Sequence, residues 1–221
     1  MAGHLYMDGG WVSQGDVALV NEEWTEDPTS SAAAGAVRQF VAGQLGKTIS
    51  LTDPTNAGDL IPKTYQYVQR HPDSVADLVP GTLMYWVGPC SGRYSVIEGG
   101  ADAPQDDDPA PLGPAGPLLV PAGIFLGADA AALGFRGVQP GNFGFIQIGG
   151  CVDALVVDGT ETIAGIEVGD LNAGGGGSRG VNLKADPGWP RIGVALETVT
   201  AAGQDETASV LLDLVSLTVS Q

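Results

Sequence analysis

The sequence predicts a mostly-β protein built from short antiparallel strands. Glycine and proline account for 34 and 15 of the 221 residues, and they separate short apolar runs instead of forming a repeat. Such punctuation is typical of many strands joined by tight turns. Charged residues make up only 16% of the chain, which leaves little material for long solvated helices, whereas 43% hydrophobic residues suffice for a packed core.

The strand pattern is clearest towards the C-terminus. Short apolar or alternating runs follow one another there, and glycine, proline or aspartate lies between nearly all of them. The runs cover residues 118–120, 124–126, 143–148, 154–157, 162–166, 192–196 and 210–215. This spacing indicates a compact antiparallel barrel or sandwich. The glycine-rich residues 174–177 are expected to form a flexible excursion from it, and residues 186–190 to form a turn.

The middle of the chain contains three further predicted strands. Residues 64–68, 82–87 and 94–97 carry aromatic and β-branched side chains that favour strands. Ahead of the second strand, residues 73–79 are expected to form one short helical turn with a polar cap, and residues 80–81 a tight turn.

The N-terminal part is irregular. We predict two regions, an N-terminal arm and irregular region at residues 1–75 and a β-barrel-like domain at residues 76–221. Residues 17–20 fit one short strand. Apolar residues at helical offsets favour a helix that ends at Gly46, although residues 36–42 equally fit the alternation of a strand.

The charge balance excludes several classes of partner. Nine Lys and Arg face 26 Asp and Glu, a formal net charge of −17. Such an acidic chain repels phosphate backbones and anionic membrane surfaces, so we expect neither nucleic acid nor membrane as a partner. No apolar run approaches the ~18 residues of a membrane span, and residues 1–10 lack the pattern of a secretory signal.

Residues 101–117 are the most biased segment, with four aspartates among five prolines. Proline removes backbone donors and the acids repel one another, so a solvated loop is expected. Its adjacent Asp106, Asp107 and Asp108 lack the alternating ligands, glycine bend and closing acid of a calcium loop.

We find no constellation of residues for catalysis or cofactor binding, and we predict that the protein is not an enzyme. His4 and His71 have no plausible partner nearby in the sequence. Residues 88–92 lack the spacing of a nucleophile elbow, and residues 174–179 lack the Lys-Ser pair of a phosphate loop. No cofactor is therefore expected.

The two cysteines, Cys90 and Cys151, have no histidine cluster nearby, so we expect no zinc site. Their simplest interpretation is two reduced thiols that behave as small apolar groups. A disulfide between them stays open at this point.

The aromatic residues divide into two groups. Trp86, Phe143 and Phe145 lie in predicted strands and are expected in the core. Large apolar residues also occur in the N-terminal arm, outside the predicted domain. These residues are Leu5, Tyr6, Trp11 and Trp24. Large apolar groups in an arm indicate that it packs onto something, either its own domain or a neighbouring subunit, so we predict an interface there.

Several motifs, in their order along the chain, carry a resemblance to a known family. The strongest is G-N-F-G-F-I-Q-I-G-G at residues 141–150, followed by I-A-G at residues 163–165 and R-I-G-V-A-L-E at residues 191–197. This order resembles the head decoration, or capsid cement, proteins of tailed bacteriophages. The resemblance covers roughly residues 76–221 without the acidic loop, and its motifs are packing and turn motifs.

The resemblance implies a small β-barrel or β-tulip-like domain with an extended N-terminal arm. It implies a structural virion protein that binds the major capsid protein on the capsid exterior, often as a homotrimer, and stabilises the expanded shell. No cofactor is implied.

Three alternatives stay open. The first is a phage tail or baseplate adaptor of similar architecture, which copy number would distinguish. The second is a carbohydrate-binding β-module, which needs exposed aromatics, whereas only 6% of the residues are aromatic. The third is a glycosidase, but no sequence feature selects a pair of carboxylates.

Overall fold

The structure of the protein is a computed structural model. It describes residues 5–7, 10–12, 46, 48–51, 61–72, 74, 78–87, 95–98, 120–127, 138, 140–169, 180–184, 190–202 and 206–214. Every element within these ranges is a β-strand, which confirms the predicted mostly-β class. None of the described segments forms a helix long and apolar enough to cross a membrane.

The described strands form one large sheet and two small ones. In chain order they are β1 (Leu5–Met7), β2 (Gly10–Val12), β3 (Thr48–Leu51), β4 (Lys63–Arg70), β5 (Leu83–Val87), β6 (Ser95–Glu98), β7 (Pro121–Phe125), β8 (Phe143–Leu155), β9 (Glu161–Thr162), β10 (Glu167–Gly169), β11 (Asn182–Leu183), β12 (Arg191–Ala195), β13 (Val199–Thr200) and β14 (Thr207–Asp213). The large sheet has the order β11-β10-β12-β14-β8-β7-β5-β6-β4-β3, while β1 pairs with β2 and β9 with β13.

Five strands of the large sheet close a ring of pairings. β4 pairs with β8, β8 with β7, β7 with β5, β5 with β6, and β6 returns to β4. The last connection is parallel and short, with Gln69 opposite Ser95 and Arg70 opposite Val96. The other pairings between the described strands are antiparallel, as the sequence predicts.

β8 joins this ring to the rest of the sheet. Its residues from Phe143 to Gly149 pair with β4, and its residues from Gly149 to Leu155 pair with β14. The sequence analysis predicted two separate strands here, at residues 143–148 and 154–157, and that division is wrong. A single strand of 13 residues runs through the glycine pair.

Gly150 allows β8 to continue through this change of partners. Its φ is +82°, a value that side chains with a Cβ rarely adopt. A Cβ at this position would lie 2.6 Å from the carbonyl oxygen of Pro62. The side-chain amide of Gln147 donates to the carbonyl oxygens of Gly149 (3.1 Å) and Cys151 (2.9 Å), which connects the backbone on the two sides of Gly150 within the same strand.

The strand predicted at residues 124–126 begins earlier in the structure, as β7. The predicted run at residues 124–126 is the end of a strand that begins at Pro121. Proline is tolerated as the first residue of a strand. A Cβ on Gly123 would lie 2.7 Å from the carbonyl oxygen of Gln147, so this glycine marks a close approach of two strands and not a turn.

The predicted strand at residues 162–166 is also wrong. Only Glu161 and Thr162 are extended there, and residues 163–166 form a turn before β10. The amide of Ile166 donates to the carbonyl oxygen of Ile163 at 3.0 Å, and Gly165 has a φ of +79°. The apolar residues of this segment are thus placed on a turn.

The other predicted strands fall on observed ones. The predictions at residues 64–68, 82–87, 94–97, 192–196 and 210–215 correspond to β4, β5, β6, β12 and β14, with shifts of up to three residues at either end. The predicted turn at residues 80–81 is confirmed, with Gly81 at a φ of +93°.

Several predictions lie wholly or mostly outside the described residues. They are the strand at 17–20, the helix before Gly46, the helical turn at 73–79, the run at 118–120, the loop at 101–117, the excursion at 174–177 and the turn at 186–190.

The large sheet extends across the boundary predicted at residue 76. β3 and β4 precede that boundary, yet β4 pairs with β8 over six residue pairs and β3 pairs with β4. The sequence analysis did not predict β3, although buried Ile49 between exposed Thr48 and Ser50 is the alternation of a half-buried strand.

One apolar core serves the ring and the strands beyond it. It includes Leu83, Ile124 and Ile148 in the ring and Ile192 and Val210 in the remainder of the sheet, all of them at most 1% exposed. The predicted core aromatics are confirmed. Phe143 and Phe145 are buried, and Trp86 packs against the core while partly buried.

Candidate interaction surface

The predicted interface residues of the N-terminal arm fall on the β1–β2 pair. Leu5 and Tyr6 lie in β1 and Trp11 lies in β2, with Tyr6 opposite Trp11 in the register. The sequence analysis missed these strands, although the Asp8-Gly9 dipeptide between them is a strong hairpin signal. Trp24 lies outside the described residues, and the contact of this arm with a neighbouring subunit stays a prediction.

The candidate chemical groups show no convergent arrangement in the described part of the chain. His71 follows β4, where its amide donates to the carbonyl oxygen of Val96 at 2.8 Å. Cys151 is a free, half-buried thiol in β8. Within the described ranges, no group of three His, Cys, Asp or Glu side chains could hold a metal ion.

The other candidates from the sequence lie outside the described residues. They are His4, Cys90, the turn at 88–92, the aspartates at 106–108 and the glycine-rich segment at 174–179.

A buried polar network lies where β4 and β6 meet. Arg70 is 1% exposed, and its Nε donates to Ser74 Oγ at 2.7 Å while its Nη1 donates to the carbonyl oxygen of Val138 at 2.9 Å. The Ser74 hydroxyl in turn donates to the Glu98 carboxylate. The guanidinium also lies 5.4 Å from the ring centre of Phe125, within cation–π distance.

This network links β4, β6 and β7 with the segments at Ser74 and Val138. Its groups are buried and do not face a solvent-filled cleft. Burial of a charge is unfavourable unless the charge is paired and hydrogen-bonded. Ser74 and Glu98 are buried as well, at 7% and 3% exposure. Since these groups are sealed inside the domain, we assign them a structural role.

The exposed surface offers a different feature, three large aliphatic side chains on adjoining turns. Ile163, Ile166 and Leu196 are 37%, 46% and 48% exposed. The first two begin and end the turn between β9 and β10, and Leu196 directly follows β12. We call these three residues the apolar patch.

Backbone hydrogen bonds hold the two parts of the apolar patch together. The amide of Gly165 donates to the carbonyl oxygen of Ala195 at 2.8 Å. The amide of Ala195 in turn donates to the carbonyl oxygen of Ile166 at 3.0 Å. The amide of Ala164 donates to Thr198 Oγ1 at 3.1 Å. The turn is thus bonded to the segment that carries Leu196.

Thr162 supplies a further link beneath the patch. Its side chain is fully buried, and its hydroxyl donates to the carbonyl oxygen of Glu197 and accepts from the amide of Val199, both at 3.2 Å. One hydroxyl therefore satisfies two backbone groups of the facing segment. This arrangement ties the turn that carries Ile163 to the segment that follows Leu196.

Acidic side chains flank the patch in the sequence. Glu161 and Glu197 are both exposed, and the Glu197 carboxylate accepts from the amide of Ser209 at 2.7 Å. The cations on the adjoining strands already have acidic partners. Lys184 and Arg191 both contact Glu167, at 3.4 and 3.3 Å, and Arg191 contacts Asp213 at 3.5 Å.

The patch falls on two of the motifs that carry the family resemblance. Ile163 begins I-A-G, and Leu196 lies near the end of R-I-G-V-A-L-E. The sequence analysis placed these residues in the predicted strands at 162–166 and 192–196, because alternation alone does not distinguish an inward from an outward face. No family model matches the chain, and no curated protein matches it either.

Proposed function

We propose that the protein is a structural virion protein that binds the outer surface of a tailed-phage capsid and stabilises the expanded shell. The observation that carries this proposal is the resemblance centred on residues 141–150. That motif forms most of the strand that pairs with β4, β7 and β14, so the resemblance lies in the residues that organise the fold.

Individual residues of the motif have physical roles in the fold, which is why a resemblance in this motif is informative about architecture. Gly141 has a φ of +84°, and the Asn142 carbonyl oxygen accepts from the amide of Arg70 at 2.9 Å. Phe143 and Phe145 are buried, and the side-chain amide of Gln147 bonds to the backbone on both sides of Gly150. A likeness in these residues supports a likeness in architecture. The decoration role is what we propose on the basis of that likeness.

The charge of the chain suits a shell exterior. At −17 the protein is repelled by nucleic acid, and it stays soluble at the concentration that many copies per particle require. The proposed mechanism is mass action, because a protein that binds only the expanded lattice stabilises that lattice. Symmetry repeats each weak contact, and the contacts add through avidity.

The N-terminal arm is the proposed link to a neighbouring subunit, with the major capsid protein as partner and the decoration protein itself as a homotrimer. An isolated two-stranded pair is at best marginally stable in water. The β1–β2 pair is separate from the large sheet in the described pairings, which supports a need for packing elsewhere. Leu5, Tyr6, Trp11 and Trp24 are the proposed contacts.

The test is co-sedimentation with purified expanded and unexpanded heads of the phage that encodes the chain. We expect saturable binding to expanded heads only, and a trimer or monomer by light scattering. Binding to neither form of head would overturn the proposal. A few copies per virion would then indicate a tail or baseplate adaptor, and a positive glycan array a carbohydrate-binding module.

Removal of residues 1–30 tests the arm. We expect the truncated protein to keep its β-sheet circular dichroism, because the large sheet begins at Thr48, and to lose most of its binding to expanded heads. Unchanged binding by the truncated protein would exclude the arm as the contact.

A further inference from the structure

We propose that the apolar patch, Ile163, Ile166 and Leu196, is a docking surface for a protein partner that presents an apolar side chain flanked by Lys or Arg. This inference rests on the proposed function, and it names the major capsid protein as that partner. It also assigns the contact to the β domain, in addition to the arm.

The exposure of the patch is the first support. Single exposed aliphatic residues are ordinary, whereas clusters of exposed apolar groups are typical of interaction sites. Here the turn of Ile163 and Ile166 is hydrogen-bonded to Ala195, the residue before Leu196. The three side chains therefore stand on one continuous piece of backbone structure.

The rigidity of the patch is the second support. Association is less costly when the contact surface is already ordered before binding. The hydroxyl of Thr162, the amide of Ala164 and the amide of Gly165 all bond to the segment at residues 195–199.

The charged residues around the apolar patch indicate which kind of partner binds there. Glu161 and Glu197 flank the patch, and the nearby Lys184 and Arg191 already contact Glu167. The same patch of a second copy would bring its own Glu161 and Glu197, so a contact between two patches places like charges together. The chain's own residues 1–47 carry six acids against Arg38 and Lys47. A basic partner surface satisfies the flanking acids, and neither of these two occupants does.

The test compares binding to expanded heads by wild type and by the double variant Ile166→Ser with Leu196→Ser. We expect roughly tenfold weaker binding or more, equivalent to about 1.4 kcal/mol. Ile61→Ser is the matched control, because Ile61 is 44% exposed and precedes β4, outside the patch. Its binding should equal that of wild type. Unfolding curves confirm that each variant is folded.

The charge argument has its own variant, Glu161→Gln with Glu197→Gln. Glutamine retains an oxygen that can accept from the amide of Ser209, so local structure is kept. We expect binding to weaken by about threefold at low salt and to depend less on salt concentration than in wild type.

The outcomes separate the two proposals. If wild type binds expanded heads and both double variants bind equally well, the docking surface is wrong and the proposed function stands. If wild type does not bind, the proposed function fails. If the Ile166 and Leu196 changes dissociate a wild-type trimer in solution, the patch contacts a second copy and the inference is overturned.

Discussion

Two glycines of the same motif show how surroundings decide the cost of a side chain. Gly141 and Gly150 have φ values of +84° and +82°, so a Cβ is strained at both. Nothing lies within 4 Å of a Cβ at Gly141, whereas at Gly150 it would lie 2.6 Å from the carbonyl oxygen of Pro62 and 2.9 Å from Lys63 Cα. Only the second position adds a steric clash.

We therefore expect Gly141→Ala to reduce the free energy of unfolding by about 1–2 kcal/mol, the cost of the left-handed conformation. Gly150→Ala should cost roughly 1–3 kcal/mol more, because backbone must move to admit the methyl group. Urea unfolding measures both values, and the difference isolates the clash. If both variants lost the same free energy of unfolding, the backbone at Pro62 and Lys63 would be able to move aside without cost.

At the scale of elements, the five-stranded ring has two short connections of two residue pairs each, β7 with β8 and the parallel one between β4 and β6. The Arg70, Ser74 and Glu98 network crosses the β4–β6 connection, and its hydrogen bonds also reach Val138 in the segment before β8. The buried network therefore reinforces the β4–β6 connection, one of the two places in the ring with the fewest paired residues.

Glu98→Gln tests this reinforcement. The amide oxygen can still accept from Ser74, so the substitution removes mainly the charge that balances the buried Arg70. Removal of one partner from a buried ionic network costs about 3–5 kcal/mol, which we expect as the loss in urea unfolding. The control is Glu161→Gln, an exposed position, which should change stability by less than about 0.5 kcal/mol. A similarly small effect at Glu98 would contradict the assigned role.

Two errors in element prediction, at β7 and β8, share one cause. Glycine or proline was taken to end a strand at Pro121, Gly123, Gly149 and Gly150, and each of these residues lies inside one. The rule is sound on average because glycine weakens strands. It does not hold where another backbone comes close enough to exclude a Cβ, and the sequence near a glycine does not reveal that neighbour.

At the scale of the whole molecule, one strand unites the sheet. β8 is shared between the ring and the strands β14, β12, β10 and β11, and the largest described apolar cluster extends under both. We therefore expect the described sheet to unfold cooperatively, with coincident transitions by fluorescence and circular dichroism.

The net charge of −17 should destabilise the compact state through self-repulsion. Raising NaCl from about 0.02 M to about 0.3 M shortens the screening length and should raise Tm by about 2–4 °C for ~1 kcal/mol of relief. Salt also weakens the ion pairs of Arg191, which lowers stability. This opposing effect is small, because the Arg191 side chain is 44% exposed and such surface pairs are worth at most about 1 kcal/mol.

The triple variant Asp106→Asn, Asp107→Asn and Asp108→Asn tests whether the effect of salt on Tm arises from repulsion between acidic groups. It changes the net charge from −17 to −14, so its Tm should be higher at low salt and should rise less with NaCl. A Tm that falls as salt is added would show that attractive pairs outweigh the repulsion.

The sequence by itself determined the mostly-β class, the positions of β4, β5, β6, β12 and β14, and the acidic character of the surface. Alternation, side-chain type and charge count are local or additive properties, and they can be read without knowing which segments meet. Only the tertiary structure decided that β8 runs unbroken, that β4 closes the ring and that Ile163, Ile166 and Leu196 face outward together. Each depends on groups distant in the chain: the Pro62 carbonyl beside Gly150, the pairing of Arg70 with Val96, and the backbone of Ala195 beside Ile166.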